Sequence, residues 1–499
     1  MGLKRATLNL SIINAVSIFL GFIFHILLGR QFGVSRELDC FFAALAIFGI
    51  LGIFSTFLTS LFIPIFNEIK YKDEKESFIF TDVVIKWSIA FAIIVTLLAW
   101  LSGDLTIRAV ASGFEKKSII LTLEITRILI VALVFYSISN AIICILNALY
   151  HFSLPAITGL LHPILNIAAL FVLTPIYGIK AIAISYIVSN ILQSCILMIY
   201  LMIKTRWRPT MKIYHNKIPS LIKESSKMTI SGLIRSLRDI ISRNIASHLV
   251  PGSITLLAYA EKFIAILHQI AVSPLSKVFY SRVSEWIPTN KWADIRELFD
   301  RVVRVNVALV FFLSSGAIVF LVPLLNILFL GSRFTSGDIN MLFYLVLIML
   351  IYLVVLSYET YFVQLVYAEK KSNIVGFNAI LGVVVFFISA WLFSKIFGIY
   401  GIAMSIPLTE IVVCLLFYYF VNKQLQTSLK KFVVRASKGF IISLFFAFSG
   451  IIIKNIIENN IVMILFILPI WSIFCILTIK SFMHEEIEFI RIREIFTRG

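Results

Sequence analysis

The stretch from Ser225 to Ser253, SSKMTISGLIRSLRDIISRNIASHLVPGS, decides how often this chain crosses a membrane. Its length and its spacing of apolar residues predict a helix. At about 100° per residue, Arg235, Asp239 and Arg243 share one stripe, Arg238 lies beside it, and apolar side chains fill the opposite face. Such a helix either lies on the membrane surface or crosses the bilayer with its charged stripe turned away from lipid.

Composition places the rest of the chain in a membrane. The 499 residues are 60% hydrophobic and 14% charged, which excludes a soluble globular protein. The net charge of +18 comes from basic residues between apolar runs, a pattern that favours orientation in an anionic bilayer over binding of nucleic acid. The five cysteines have no disulfide or metal-ligand spacing. We predict an all-α polytopic membrane protein without a nucleic-acid partner or metal site.

Apolar stretches of about 20 residues predict about fourteen transmembrane helices. The predicted spans are 8–29, 38–66, 83–102, 118–148, 155–175, 179–203, 226–250, 254–283, 303–330, 338–367, 373–396, 399–422, 433–455 and 460–481. Lys and Arg concentrate in alternate loops, which predicts that these loops and both termini face the cytoplasm. This arrangement in the cytoplasmic (inner) membrane requires the segment 226–250 to span.

An internal repeat supports the same topology. The sequence IYGIKAIAIS at Ile176–Ser185 recurs as IFGIYGIAMS at Ile396–Ser405, a shift of 220 residues from 176 to 396. Six spans per copy make the copies parallel around a central cavity. We therefore predict an N-terminal six-helix lobe at 1–210 and a C-terminal six-helix lobe at 220–425. Two extra helices and an amphipathic tail follow at 430–499.

Charges inside the predicted spans are the candidate functional residues, because no catalytic motif is present and each such charge is costly in lipid. The chain is thus predicted to be a transporter and not an enzyme. The candidates outside 226–250 are Glu124, Arg127, Glu261, Lys262, Glu359 and Glu410.

Each candidate has a structural alternative. Glu124 and Arg127 stand three residues apart and either neutralise one another or contact a substrate. Glu359 and Glu410 either anchor neighbouring helices through hydrogen bonds or carry an ion or proton.

The arginines of the stripe favour a substrate role. Asp239 can pair with Arg235 and Arg243 at i,i+4 spacing, but one carboxylate does not neutralise three arginines. The surplus positive charge, presented by Arg forks, favours the oxygens of a phosphate or diphosphate.

Several motifs carry a family resemblance. They are GRQFGVSRELDCFFAA at Gly29–Ala44, ASGF at Ala111–Phe114, LNALYHFSLPAITGLLHPILN at Leu146–Asn166 and LAYAEKF at Leu257–Phe263. The chain resembles the MurJ/MviN lipid flippases, which share a superfamily of two six-helix lobes with the Wzx polysaccharide flippases and the MATE multidrug exporters. The resemblance covers nearly the whole chain.

The resemblance implies alternating access that carries a polyprenyl-diphosphate-linked sugar from the cytoplasmic to the outer leaflet, with cavity arginines holding the diphosphate. Arg30 and Asp39 match the family pattern. Glu261 and Lys262 occupy the positions of an acidic–basic pair of the family. The family also implies coupling to Na⁺ or H⁺, for which Asp239, Asn378 and Glu410 are the candidates; no other cofactor is implied.

The pattern also departs from the family. Two arginines expected in the first span fall on Ile18 and Phe24, and a third falls within the uncharged stretch 49–52. This departure favours a lipid-linked glycan other than lipid II, the peptidoglycan precursor.

The sequence therefore predicts a flippase for a polyprenyl-diphosphate-linked oligosaccharide used in surface-polysaccharide assembly. The diphosphate would be bound by Arg30, Arg235, Arg238, Arg243 and Lys262, with Asp39, Glu124, Arg127, Glu261 and Glu359 lining or gating the cavity. Membrane lipids and glycan-assembly proteins are the expected partners. A lipid II flippase, a drug or cation exporter of the same superfamily, and a membrane-embedded polysaccharide polymerase or ligase are the alternatives.

Overall fold

The computed structural model describes residues 3–57, 62–205, 207–329, 331–369 and 371–426, together with positions 448, 469 and 472. All elements in these segments are helices. They are α1 (Leu3–Phe32), α2 (Arg36–Phe57), α3 (Phe62–Lys72), α4 (Glu74–Ser102), α5 (Asp104–Ala111), α6 (Lys116–Ala148), α7 (Ser153–Gly159), α8 (Leu161–Val172), α9 (Thr174–Tyr177), α10 (Lys180–Lys204), α11 (Ile218–Ser247), α12 (Ser253–Ala271), α13 (Ser273–Trp286), α14 (Trp292–Phe329), α15 (Ser336–Ala368), α16 (Ser372–Phe397) and α17 (Ile399–Leu425).

Ten helical segments within the described residues are long and apolar enough to cross a membrane. The predicted spans 433–455 and 460–481, and the tail beyond them, lie outside the described residues, so ten is a partial count. Helix α11 is not one of the ten, because charged side chains occupy its middle. An all-α transmembrane protein, as predicted, is confirmed.

Two predicted spans are interrupted by breaks between helices. The segment 254–283 divides into α12 and α13, and Pro274 stands in the first turn of α13, where a missing N–H costs least. The segment 155–175 divides into α7, α8 and the start of α9, which carries a proline in its first turn. The predicted span 38–66 contains residues 58–61, which lie outside the described residues, between α2 and α3. Hydropathy alone joins these pieces because the breaks are apolar too.

The sequence repeat has a counterpart in the structure. Helices α6 and α15 begin at Lys116 and Ser336, which are 220 residues apart like the repeated motifs. Gly178 and Gly398, related by the same shift, both have a φ of 57° and both immediately follow the end of a helix. The two copies therefore place equivalent backbone breaks at equivalent positions.

The chain forms two compact units, Met1–Thr255 and Leu256–Gly499. Unit 1 has a core in which Phe62 stacks on both Phe66 and Phe80. Unit 2 has a core in which the ring of Phe279 packs edge-on against Tyr361, whose hydroxyl accepts a 2.7 Å hydrogen bond from Nδ2 of Asn306. The predicted lobes 1–210 and 220–425 describe the sequence repeat, and that division remains a prediction.

Candidate functional site

Helix α11 carries the charged stripe, which confirms the prediction of a helix in the segment 226–250. From Ser225 onward its buried side chains are small or polar, among them Thr229, Ser242 and Ala246, whereas Ile230 is 56% exposed and Leu237 is 42% exposed. A helix on the surface of a soluble protein has the reverse division. This polarity is the one expected where lipid covers the outer face of a protein and the polar face packs inward.

The middle of the polar face is accessible while its ends are buried. Arg243 is only 8% exposed and Ser247 is buried, but Asp239 and Arg235, one and two turns earlier on the same side, are exposed. Arg238 is half-buried. The middle of the polar face therefore carries accessible charged side chains, whereas the side chains toward its ends are buried.

Helix α11 packs within unit 1 against α2 and α5. Gly232 lies beside α2: a methyl group at its Cα would make an ordinary van der Waals contact, 3.5 Å, with Cγ2 of Ile53. At the far end, Gly252 just beyond α11 reaches Asp39 near the start of α2, so the two helices run antiparallel. Since α2 is a predicted span, this alignment favours the spanning alternative for α11 over the surface alternative.

The C-terminal end of α11 is hydrogen-bonded to the end of α5 and to the loop that follows it; we call these contacts the α11 clasp. Nδ2 of Asn244 donates to the carbonyl oxygens of Arg108 and Ala109 at 3.2 and 3.0 Å. The backbone N–H of Gly113 donates to Oγ of Ser247 at 2.9 Å. Two further side chains complete the clasp: Oγ of Ser112 lies 2.9 Å from Nε2 of His248 and 3.2 Å from Oδ1 of Asn244.

Asp39 is fully buried and holds the next turn of the chain. Its Oδ2 accepts a 2.7 Å hydrogen bond from the N–H of Gly252, and its Oδ1 accepts 2.8 Å bonds from the N–H and the hydroxyl of Thr255. Arg36 lies 3.6 Å from Oδ2. Asp39 thereby satisfies N–H groups at the start of α12, as an N-cap residue does, although it comes from another helix. Its predicted gating role remains a prediction.

Glu124 and Arg127 do not neutralise one another. Glu124 on α6 forms a 2.5 Å ion pair with Lys180 at the start of α10, and the guanidinium of Arg127 lies 5.5 Å from the ring centre of Trp100 on α4. The sequence suggested an i,i+3 pair because it shows the spacing of the two residues but not their partners on other helices. Both residues are thus engaged in holding unit 1 together; a contact with substrate stays untested.

The remaining basic candidates are accessible. Arg30 lies in the last turn of α1 and is exposed, as is Lys262 on α12, while Glu261 beside it is half-buried. Their predicted parts in diphosphate binding and gating remain predictions.

The coupling-ion candidates divide between the units. Asn378 on α16 is buried and donates a 3.0 Å hydrogen bond to the carbonyl oxygen of Val413 on α17, close to Glu410. Glu359 on α15 and Glu410 are both 5% exposed. Asp239 belongs to unit 1. Among the described residues no group of three or more His, Cys, Asp or Glu side chains is arranged to hold a metal ion.

Sequence reasoning missed the clasp residues Asn244, Ser247 and His248 and the acceptor role of Asp39. Gly113 in the ASGF motif was a usable signal, because a methyl group at its Cα would lie 2.7 Å from the backbone of His248. A glycine that a close backbone approach requires often marks such a contact.

Comparison with known proteins adds a family. The family described as "Lipid II flippase MurJ" matches residues 28–471. The chain is 27% identical over 292 residues to a "Probable lipid II flippase MurJ" of Rickettsia prowazekii (strain Madrid E), covering 56% of each protein, so the match spans little more than half of that relative. It is 26% identical over 356 residues to the protein so described in Buchnera aphidicola subsp. Acyrthosiphon pisum (strain APS), covering 68% of each.

A solved structure shares the fold. The structure described as "Lipid II flippase MurJ, inward closed conformation" superposes with a TM-score of 0.81 at 21% sequence identity, covering 96% of this chain and 99% of that one. The agreement extends over nearly the whole length of both chains.

Proposed function

The chain belongs to the MurJ family, and on that premise we propose that it moves lipid II, a polyprenyl-diphosphate-linked precursor, from the cytoplasmic to the outer leaflet of the cytoplasmic membrane. The family match and the named relatives support lipid II over the surface-polysaccharide unit that the sequence alone favoured. A lipid-linked substrate is common to both.

The charge on α11 carries the proposal. Arg235 and Asp239 are exposed in the middle of the polar face. Arg238 and Arg243 belong to the same helix, and Asp239 is the only nearby acidic residue of α11. Guanidinium groups bind diphosphate oxygens in a bidentate fashion, and the surrounding low dielectric strengthens that attraction. We infer that α11 presents the principal cationic contacts to the diphosphate, with Arg30 and Lys262 as further contacts.

Alternating access requires contacts that close one side and later release. The α11 clasp and the Asp39 cap are suited to that task, because both consist of hydrogen bonds, most of them to backbone groups. A hydrogen bond of this kind contributes about 0.5–1.5 kcal/mol net, so the set is strong together and separable in steps.

A coupling ion, Na⁺ or H⁺, is part of the proposal. Asn378 and Glu410 are buried polar groups on adjacent helices of unit 2, and Asp239 on α11 of unit 1 is a separate candidate. Carboxylate and amide oxygens are suitable for a hard cation, and a buried carboxylate is equally suited to carry a proton.

One observation favours the surface-polysaccharide alternative. Ile18 and Phe24 stand where arginines were expected in the first span. Both apolar residues belong to α1, and the side chain of Phe24 is buried. A binding set concentrated on α11 would serve either lipid-linked diphosphate.

Complementation separates these functions. The full chain is expressed in a bacterium depleted of its own lipid II flippase, and growth with normal peptidoglycan is expected. Arg235→Gln should abolish that growth at normal expression, whereas Lys223→Gln, which removes a charge from the exposed beginning of the same helix, should not. Growth with Arg235→Gln would contradict the binding role of α11. Failure of the unaltered chain, with rescue of a strain lacking a surface-polysaccharide flippase, would favour the alternative.

Arg243 needs a gentler change, because it is buried. Arg243→Lys keeps the charge and loses the fork, so we expect reduced flipping with an unchanged thermal unfolding midpoint. A loss of both would assign Arg243 to packing.

A further inference from the structure

The connection between α10 and α11 is fixed to unit 1 along its length; we call residues 207–217 the strap. Trp207 is buried in the core of unit 1 at one end, and His215 is buried at the other, with its ring edge-on to Phe80 at 5.1 Å. The strap therefore has two buried anchors with an exposed stretch between them.

The exposed stretch is held by its backbone. Lys86 on α4 donates from Nζ to the carbonyl oxygens of Thr210 and, at 3.1 Å, of Lys212. Asp82 accepts from the N–H and hydroxyl of Thr210 at 3.0 and 2.7 Å. Because these bonds use mainly backbone groups, the side chains of the following residues are left to point away from α4.

Those side chains are apolar and basic. Met211 is 98% exposed, and Ile213 and Tyr214 are also largely exposed, with Lys212 exposed between them. A contiguous apolar surface held in a fixed backbone conformation marks an interaction site rather than a solvated loop.

The position of the strap along α4 identifies what covers it. Trp87 donates a 3.0 Å hydrogen bond from Nε1 to the carbonyl oxygen of Ile213. Going from the start of α4 at Glu74, Trp87 is the first large apolar side chain that is exposed; the exposed residues Ile93, Ile94, Leu97, Leu98 and Leu101 follow. An exposed Trp at the edge of an apolar band is typical of the membrane–water interface. The strap is therefore level with the lipid headgroups.

We propose that the strap is a lipid-binding surface, in which Met211, Ile213 and Tyr214 insert at the boundary between headgroups and acyl chains and Lys212 pairs with anionic phospholipid headgroups. Apolar side chains beside a basic one favour anionic lipid at this depth. A soluble partner protein would need the patch to project beyond the headgroups. Since Ile218 starts α11 directly after the strap, the same lipids would fix the end of the helix that carries the arginines.

Spin labelling in bilayers tests the depth of this surface independently of flipping. A nitroxide is attached to Met211→Cys in a full chain whose five native cysteines are replaced by alanine. Lys75→Cys is the matched aqueous control, because it is exposed on α4 about 18 Å before Trp87. Leu98→Cys is the lipid control. Accessibility to oxygen and to a water-soluble nickel chelate is measured in phosphatidylcholine vesicles with and without phosphatidylglycerol.

The label at 211 should resemble the one at 98 more than the one at 75, and should become less accessible to the nickel chelate when phosphatidylglycerol is added. Lys212→Gln should remove that response to anionic lipid. Equal nickel accessibility at 211 and 75 would overturn the proposal. So would a nickel accessibility at 211 that does not change when phosphatidylglycerol is added. If the cysteine-free chain does not fold, hydrogen exchange of residues 209–214 in the unaltered chain replaces it, with a slowing of about threefold or more expected in anionic nanodiscs.

Discussion

Oδ1 of Asp39 accepts hydrogen bonds from both the backbone N–H and the hydroxyl of Thr255, each at 2.8 Å. The two residues are 216 positions apart in the chain. Through this contact the start of α2 is bound to the first turn of α12. The carboxylate accepts hydrogen bonds from N–H groups at the start of a helix, as a Ser or Asp at the N-cap position normally does. Because Asp39 belongs to α2, its loss would also remove a contact between α2 and the start of α12.

Replacing Asp39 tests this contact. Asp39→Ala should lower the free energy of unfolding by about 2–3 kcal/mol, because the N–H groups of Gly252 and Thr255 lose a buried acceptor. Thermal unfolding in detergent measures the change. Glu37→Gln is the matched control, since Glu37 is an exposed carboxylate in the same turn of α2, and it should leave the midpoint unaltered. Equal midpoints for the two variants would refute the cap.

Thr255→Val distinguishes the two hydrogen bonds that Thr255 donates to Asp39, one from its backbone N–H and one from its hydroxyl. The variant keeps the N–H that Asp39 accepts and removes only the hydroxyl, so a loss of about 1 kcal/mol is expected. If the flipping rate rises or falls while the midpoint barely changes, the contact also takes part in opening.

The α11 clasp depends on the absence of a side chain at Gly113. Gly113→Ala would place a methyl group 2.7 Å from Cγ and the backbone N of His248, so the loop must retreat from α11. A destabilisation of about 1–3 kcal/mol is expected from this overpacking. Gly49→Ala is the control: no atom lies within 4 Å of the added methyl, and alanine is the better helix former, so its unfolding midpoint should be equal or higher. A neutral Gly113→Ala would contradict the close approach.

Sequence patterns predicted well whatever depends on local spacing. The helix at 226–250, its polar face and the recurring breaks at Gly178 and Gly398 follow from periodicity and repetition, and the structure contains each of them. The MurJ-like resemblance is confirmed by the family match. The amphipathic character of α11 could be predicted because side chains four residues apart lie on the same side of a helix.

Contacts between distant segments could not be predicted in the same way. Asp39 was recognised as a family residue, but its partners are backbone N–H groups, which every sequence contains and no side-chain pattern marks. Pairing of Glu124 with Arg127 was one alternative because the two stand three residues apart, whereas the actual partner, Lys180, is distant in the sequence. The choice of glycan followed absent arginines at Ile18 and Phe24, and the family comparison favours lipid II instead.

The ion pair between Glu124 and Lys180 can be tested by exchanging its charges. Both side chains are partly exposed, so Glu124→Gln should cost at most about 0.2–1 kcal/mol. Lys180→Glu alone brings two carboxylates together and should lower the unfolding midpoint further, while Glu124→Lys combined with Lys180→Glu should restore it. Flipping by the double variant decides the remaining question: normal activity assigns the pair to structure, whereas inactivity at a normal midpoint would show that Glu124 acts on the substrate.

The strap should respond to pH through His215. Its Nδ1 accepts a 3.1 Å hydrogen bond from the N–H of Lys217, and its Nε2 lies 3.1 Å from Oε1 of Glu76. Burial lowers the pKa of His215 from its usual value of 6.5, partly opposed by Glu76. Because the unfolded chain then binds the proton more readily, the docked strap has its full stability above pH 6.5 and loses it as the pH falls through that value.

His215→Phe removes this dependence and keeps the ring against Phe80. Between pH 7.5 and 5.5 the unfolding midpoint of the unaltered chain should fall further than that of the variant, because protonation of His215 disfavours the docked strap. Lys217→Gln acts in a different window: Lys217 lowers the pKa of Glu68 through a 2.9 Å hydrogen bond, so the stability it supplies is present above pH 4.5 and disappears below it. The variant should therefore differ from the unaltered chain at neutral pH and converge with it in acid. A parallel decline of the unaltered chain and His215→Phe from pH 7.5 to 5.5 would show that the strap does not sense this proton.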